Sequence, residues 1–226
     1  MLAATQNQQP VMRVAAVILA AGSGSRLGGT AKALIRIDGV ALVQRLIAAV
    51  QGAGIRDVVV VTGDYHDAIA QLVTPAGARV VRNTDAAKGQ ATSVRLGLRH
   101  AGQQPGAAAQ AVMLLLCDQP LLTSADLLDL VNAFERRPCG EFVVPRLPSQ
   151  RRGNPVLASR QAVQAILASN TYVACRDYMD AHPESVYYMD TDNDHYLVDM
   201  DVPQDLVSVR ARLACTVELP PESLSL

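Results

Sequence analysis

The tightest constraint on the fold is the join between an apolar run, Val14 to Ala20, and the glycine-rich stretch Ala21-Gly-Ser-Gly-Ser-Arg-Leu-Gly-Gly-Thr-Ala-Lys32. Seven consecutive apolar residues of strand length read as a buried strand. The glycines at 22, 24, 28 and 29 let the backbone turn tightly and bring its N–H groups against a ligand. Arg26 and Lys32 are the only charges in the stretch. A fan of amides beside two cations suits a polyphosphate. The spacing misses two familiar phosphate loops. Gly22, Gly24 and Gly28 give G-x-G-x-x-x-G rather than the dinucleotide fingerprint, and Lys32 follows Ala31 rather than a glycine.

Beyond the loop, strand and helix alternate. The spacing predicts a helix over 41–51, a buried strand over Val58 to Val61 and a short helix over 67–73. A weaker strand follows at 79–82, a helix at 89–100, and a strong strand at Ala111 to Cys117. Thr123-Ser-Ala-Asp126 is a capping signal for a helix carrying Leu127, Leu130, Val131 and Phe134 on one face. Such alternation means a mostly parallel sheet with helices on both faces, an α/β three-layer sandwich of Rossmann-like type. Ligands bind such sheets at the carboxyl ends of the strands, so the glycine loop and Asp118 are expected to face one cleft.

After residue 138 the pattern changes. A strand is expected at 142–145 and an exposed, proline-flanked loop at 146–154. Helices are expected at 161–168 and 173–179, strands at 186–189 and 196–200, and a last helix from Pro203 to about 213. Residues 1–12 read as a loose tail and 214–226 as a second one. The span 13–213 reads as one domain, with a nucleotide-binding half (13–137) and an acceptor-binding half (138–213). The formal net charge of −1, with basic residues dispersed, excludes a duplex nucleic-acid binder. The four cysteines, at 117, 139, 175 and 215, show no C-x-x-C pair, which points away from a zinc or disulfide framework and toward a reducing cytoplasm. No apolar run reaches the roughly 20 residues that span a bilayer, so no membrane partner is expected.

Leu19-Ala-Ala-Gly22, Ser25-Arg26, Gly28 and Lys32 resemble the signature L-A-A-G-x-x-x-R-[LM]-G-x-x-x-K of nucleotidyltransferases of the molybdenum-cofactor and sugar-nucleotide type. Four further stretches are similar to the molybdenum cofactor cytidylyltransferase branch. They are Gly89 to Leu98, Cys117-Asp-Gln-Pro120, Gly153-Asn-Pro-Val156, and Asp199-Met-Asp201 with Pro203 and Asp205-Leu206. In one respect the chain departs from that branch: Thr30-Ala31 stands where Pro-Asn often precedes the lysine.

The resemblance implies the nucleotide-diphospho-sugar transferase fold and transfer of CMP from CTP to the phosphate of molybdopterin. It implies that Leu19, Ala20, Ala21, Gly22, Ser23, Gly24, Ser25, Arg26, Lys32, Gly89 and Ser93 hold the nucleotide, with Thr62 and Asn83 as lesser candidates. Arg26, Lys32 and Asp118 would be catalytic. Asp118 with Asp199 or Asp201 would bind Mg²⁺ or Mn²⁺, and Gly153, Asn154 and Pro155 would meet the acceptor. Asp199 is preferred slightly over Asp201. Spaced by two on an extended segment, these carboxylates are expected to point to one side. The partner would be a molybdoenzyme of the xanthine dehydrogenase type.

Overall fold

A computed structural model describes residues 12–103, 108–169 and 174–221. The tail at 1–11, part of the loop after Gln103, and Val173 at the expected start of a helix lie outside the described residues. Among the described residues, ten strands and seven α-helices follow in order. They are β1 (Val14–Ala20), β2 (Arg36–Ile37), β3 (Val40–Ala41), α1 (Leu42–Gly52), β4 (Asp57–Thr62), α2 (His66–Val73), β5 (Arg79–Arg82), α3 (Gln90–His100) and β6 (Ala111–Leu116). Then come α4 (Ser124–Arg136), β7 (Phe142–Arg146), β8 (Val156–Ser159), α5 (Arg160–Ala168), α6 (Cys175–Ala181), β9 (Val186–Asp190), α7 (Pro203–Leu213) and β10 (Val217–Glu218).

The main sheet runs β5-β4-β1-β6-β8-β7-β9. β1 lies inside it, parallel to both neighbours β4 and β6, and every residue of it is buried. That explains its unbroken apolar run: alternate side chains enter two different cores. Ala16 and Ile18 pack with α1, α2 and α4, whereas Val17 and Leu19 pack with α3, α5 and α6. The expected three-layer, mostly parallel α/β sandwich is what the chain forms.

Three local expectations are corrected. β8 lies antiparallel between β6 and β7, where the sequence reading placed no strand. Its four residues follow a polar loop directly and are too few for a clear period. Residues 196–200, expected as a strand, form a turn and an irregular extended segment. Their apolar spacing arises because Tyr196 and Met200 are anchors in two separate clusters. The 214–226 segment is not simply a tail, since β10 pairs with β2, which pairs in turn with β3. Asp38 and Gly39 make the β2–β3 turn with φ of 49° and 77°, the left-handed pair that suits a two-residue hairpin.

The capping signal before α4 is used twice over. The Asp126 carboxylate accepts from the Thr123 N–H and hydroxyl at 2.8 Å each, from Asn193 Nδ2 at 2.6 Å and from His195 Nδ1 at 3.0 Å. The Tyr196 hydroxyl donates to the Asp126 carbonyl at 2.8 Å. Burial pushes the Asp126 carboxyl up, but the His195, Thr123 and Asn193 donors outweigh it and hold the group below the usual carboxylate range. A carboxyl depressed in the folded state contributes stability above its unfolded pKa of about 3.9 and loses it as pH falls through the folded value. Asp126→Ala is therefore expected to cost about 2–4 kcal/mol at pH 7. In urea denaturation the gap to wild type should narrow below about pH 4.

Candidate active site

Adjacent strands bring the two ends of the site together. Leu19 of β1 is in register with Leu116 of β6, and the Cys117 N–H donates to the Leu19 carbonyl at 3.2 Å. The glycine loop and Asp118 therefore leave the same sheet edge on neighbouring strands, about 5 Å apart. A third segment closes over them: the Met200 N–H donates to the Asp118 carbonyl at 2.9 Å. Asp205 caps α7 by accepting from the N–H groups of Asp201 and Val202, both at 2.8 Å, which fixes Asp201 at the helix entry.

Lys32 is the hub. Its Nζ donates to Asp118 Oδ2 at 2.9 Å and also to Asp201 Oδ1. Arg26 Nη1 donates to Asp201 Oδ2 at 3.0 Å, and its side chain is 71% exposed, so it can leave that partner readily. Burial lowers the Lys32 pKa, but the Asp118 and Asp201 carboxylates outweigh it and hold the ammonium above its ordinary value. The hydrogen bond from Lys32 keeps Asp201 below the usual carboxylate range. Asp199 is shifted the other way, upward, by burial and by the charges of Asp201, Asp118 and Asp205.

Residues 19–26, with Lys32, Ser93, Asp118 and Asp201, line one cleft of about 330 Å³. The loop's shape is set at Gly24. Its φ is +62°, its carbonyl accepts from the Leu27 and Gly29 N–H groups, and a Cβ there would lie 1.7 Å from the Thr30 carbonyl oxygen. Among the described residues, no group accepts from the Gly22 or Ser23 N–H. Two exposed backbone donors beside two cations make an anion-binding corner.

A second cleft of about 280 Å³ shares Leu19, Gln90 and Leu116 with the first. Gly153 and Asn154 lie in its wall. Gly153 is required by close approach, since a Cβ would meet Tyr196 Cβ and carbonyl oxygen at 2.7 Å. Gln119 Nε2 donates to the carbonyls of Asn154 at 3.2 Å and Tyr196 at 3.1 Å, locking the loop against the segment that leads to Asp201.

The sequence matches the MobA-like NTP transferase domain over residues 16–186. The chain belongs to that family. Among curated relatives of this MobA-like NTP transferase is the bifunctional enzyme IspD/IspF of Clavibacter michiganensis, 39% identical over 139 residues that cover 60% of this chain and 33% of the relative. The bifunctional protein GlmU of Syntrophomonas wolfei is 29% identical over 130 residues, covering 56% of this chain and 27% of the relative. The chain thus spans a third or less of the curated relatives' length. Similar solved structures include Rv0371c of Mycobacterium tuberculosis (TM-score 0.74, 22% identity, 89% and 98% of the two chains), a protein also solved in complex with manganese. Another is a CMP-2-keto-3-deoxy-manno-octonic acid synthetase complexed with CTP (TM-score 0.68, 17% identity, 89% and 98%).

Within this MobA-like NTP transferase, the expected site residues are placed unevenly. Gly89, with φ +111°, is the N-cap of α3 and does not line the first cleft, whereas Ser93 does. Thr62 and Asn83 lie behind the cleft as supports. Asn83 Nδ2 donates to Thr92 Oγ1 and Ser93 Oγ at 2.8 Å, and the Thr62 hydroxyl bonds His66 Nδ1 at 2.7 Å. Asp199 and Asp201 do not share one side: Asp199 lines the second cleft and Asp201 the first. The segment is irregular rather than a strand, and the Asp201 N–H is held by Asp205 at the α7 cap.

Tyr65 and Gln90 line the first cleft and were not singled out in the sequence. The Tyr65 hydroxyl donates to the Gly29 carbonyl, bracing the far side of the loop. Its position just past the carboxyl end of β4 was the available signal.

Proposed function

We propose that the protein transfers CMP from CTP to the phosphate of molybdopterin, releasing pyrophosphate and forming molybdopterin cytosine dinucleotide for a molybdoenzyme of the xanthine dehydrogenase type. The observation that carries this reading is the pair of clefts with a common wall, bordered by the 199–201 segment, where Lys32, Asp118 and Asp201 meet. The first cleft suits a nucleoside triphosphate, and the second suits the acceptor at Gly153 and Asn154, whereas Pro155 is buried and lies outside its lining. Ala21 lies in the L-A-A-G run that resembles the pyrimidine-using branch of the family, which favours CTP, as does the likeness to a synthetase solved with CTP.

In the reaction an acceptor phosphate oxygen forms a bond to the α-phosphorus, and the bond from that phosphorus to the α–β bridging oxygen breaks. Pyrophosphate leaves with the electron pair. The Gly22 and Ser23 amides and Arg26 hold the leaving phosphates. Lys32 sits against the α-phosphate and the bridging oxygen, where negative charge grows. No covalent nucleophile is required.

The residues present fit a divalent cation. Asp118 Oδ1 is buried without a hydrogen-bond partner among the described residues, and Asp201 offers a second hard oxygen donor nearby. Among the described residues no three His, Cys, Asp or Glu side chains form a ready cage. That suits Mg²⁺ or Mn²⁺, which is commonly held by one or two carboxylates together with substrate phosphates. Asp118 and Asp201 would hold it, with Asp199 on the acceptor side. When bound, it supplies positive charge to the phosphates.

The test is a matrix of CTP, GTP and ATP against molybdopterin, a sugar phosphate and an alcohol phosphate, with pyrophosphate release as readout. Release is expected only for CTP with molybdopterin. The likeness to IspD/IspF favours an alcohol phosphate as the second reading, and transfer to that acceptor alone rejects molybdopterin.

A further inference from the structure

Lys32 stands where a divalent cation would have to act. Lys32 Nζ donates to Asp118 Oδ2 and Asp201 Oδ1, and Arg26 Nη1 donates to Asp201 Oδ2. Only Asp118 Oδ1, of the oxygens on these two carboxylates, is left without a hydrogen-bond partner among the described residues. Two carboxylates facing one ammonium and one guanidinium leave the corner without net charge. Asp199 lines the other cleft, and the Asp205 carboxylate is taken up by the N–H groups of Asp201 and Val202. A metal ion joining Asp118 to Asp201 therefore meets no surplus of negative charge, and it meets an ammonium already bonded to both. The Lys32 and Asp118 side chains are only 16% and 17% exposed, so water screens that repulsion poorly.

The carboxylates are fixed and the ammonium is not. The Met200 N–H donates to the Asp118 carbonyl, and Asp205 holds the Asp201 N–H. Lys32 begins a single 3₁₀ turn, Lys32–Leu34, pinned by the Ile35 N–H donating to the Lys32 carbonyl at 3.1 Å. Beyond that anchor a flexible four-carbon stem carries the charge and can swing. A triphosphate in the first cleft offers oxygens to Lys32 and Arg26 together. As the two cations turn to it, the carboxylates come free.

We propose that Lys32 is a placeholder cation, which keeps divalent metal off Asp118 and Asp201 until a triphosphate draws it away. This rests on the metal assignment made above and adds an order of events: the metal enters with the nucleotide rather than ahead of it. Metal and triphosphate then raise each other's affinity by the same factor, because the same displacement of Lys32 favours both.

Mn²⁺ binding to the protein without nucleotide, followed by loss of the free ion's paramagnetic resonance signal, tests the proposal without any transfer chemistry. Lys32→Gln is expected to bind Mn²⁺ about tenfold or more tightly than wild type. Adding Asp118→Asn to Lys32→Gln should abolish that gain, which places it at this site. Arg26→Gln removes the same unit of charge from a side chain that is 71% exposed, so its gain should stay below about threefold. A reciprocal measurement needs neither metal nor a Lys32 variant. In EDTA, inorganic tripolyphosphate followed by calorimetry should bind Asp201→Asn about tenfold more tightly than wild type, since both cations lose their shared partner. Equal Mn²⁺ affinity in wild type and Lys32→Gln, a gain that survives Asp118→Asn, equal gains in Lys32→Gln and Arg26→Gln, or no gain for tripolyphosphate would each overturn the assignment. Failure of CMP transfer to molybdopterin, with this pattern intact, would reject the proposed reaction and leave the placeholder role standing.

Discussion

Lys32→Gln is expected to lower the rate of nucleotidyl transfer by about 10²–10³-fold, the usual cost of deleting a positioned donor to developing charge. The side chain is well placed for such an effect. It is 84% buried, it touches both Asp118 and Asp201, and it is raised in pKa, so it stays charged throughout the neutral range. Glutamine keeps much of the length and a donor but removes the charge. Two carboxylates then face the incoming triphosphate without their shared cation, so the KM for CTP should rise as kcat falls. Lys32→Arg should recover little, because a planar fork does not reproduce a point charge held between two oxygens. Steady-state pyrophosphate release, with circular dichroism to confirm folding, reads the result. A loss smaller than tenfold would remove Lys32 from the reaction centre.

Gly24→Ala should be nearly as damaging, by a different route. The residue sits at φ +62°, where any other L residue costs about 1–2 kcal/mol, and the added methyl would overlap the Thr30 carbonyl oxygen at 1.7 Å. The loop has to open to relieve that overlap. Its Leu27 and Gly29 hydrogen bonds to the Gly24 carbonyl are then lost, and the N–H groups of Gly22 and Ser23 no longer converge. CTP affinity is expected to drop about 10²-fold or more, as two or more charge-assisted contacts are lost together. The unfolding midpoint should move much less, since the β1 core lies outside the loop. Isothermal titration with CTP alongside thermal denaturation separates the two effects. Unchanged affinity would mean that the loop does not grip the triphosphate.

What could be read in the chain follows from how burial writes itself into sequence. β1, β4 and β6 are covered on both faces, so their runs are continuously apolar and their limits were legible to within a residue or so. α4 was legible because Thr123 and Asp126 cap it reciprocally. β8 was not legible: its Val-Leu-Ala-Ser follows a polar loop directly, and its pairing is decided by partners 14–16 and 42–48 positions away. β2, β3 and β10 hold two residues each, below any detectable period.

At the candidate site, the glycine loop and Asp118 announced themselves because both end buried strands of one sheet. The contact between Lys32 and Asp201 spans 169 positions and leaves no spacing signal, and the same holds for Tyr65 and Gly29. The separation of Asp199 from Asp201 was misread because the segment is irregular rather than a strand, and the Asp201 N–H is held at the α7 cap. That cap is made by Asp205, which the sequence reading treated only as part of a signature.

The tie between Lys32 and Asp201 also bears on the order in which a ribosome can build this molecule. Strands β1, β4, β5 and β6 and the glycine loop are all synthesised by residue 116, yet the loop's two cations receive their shared counter-charge only when residue 201 emerges. A nascent chain stopped short of that point has the glycine loop but lacks the carboxylate that pairs with both of its cations. That pairing therefore waits until the chain has been made as far as residue 201, after β7, β8 and β9.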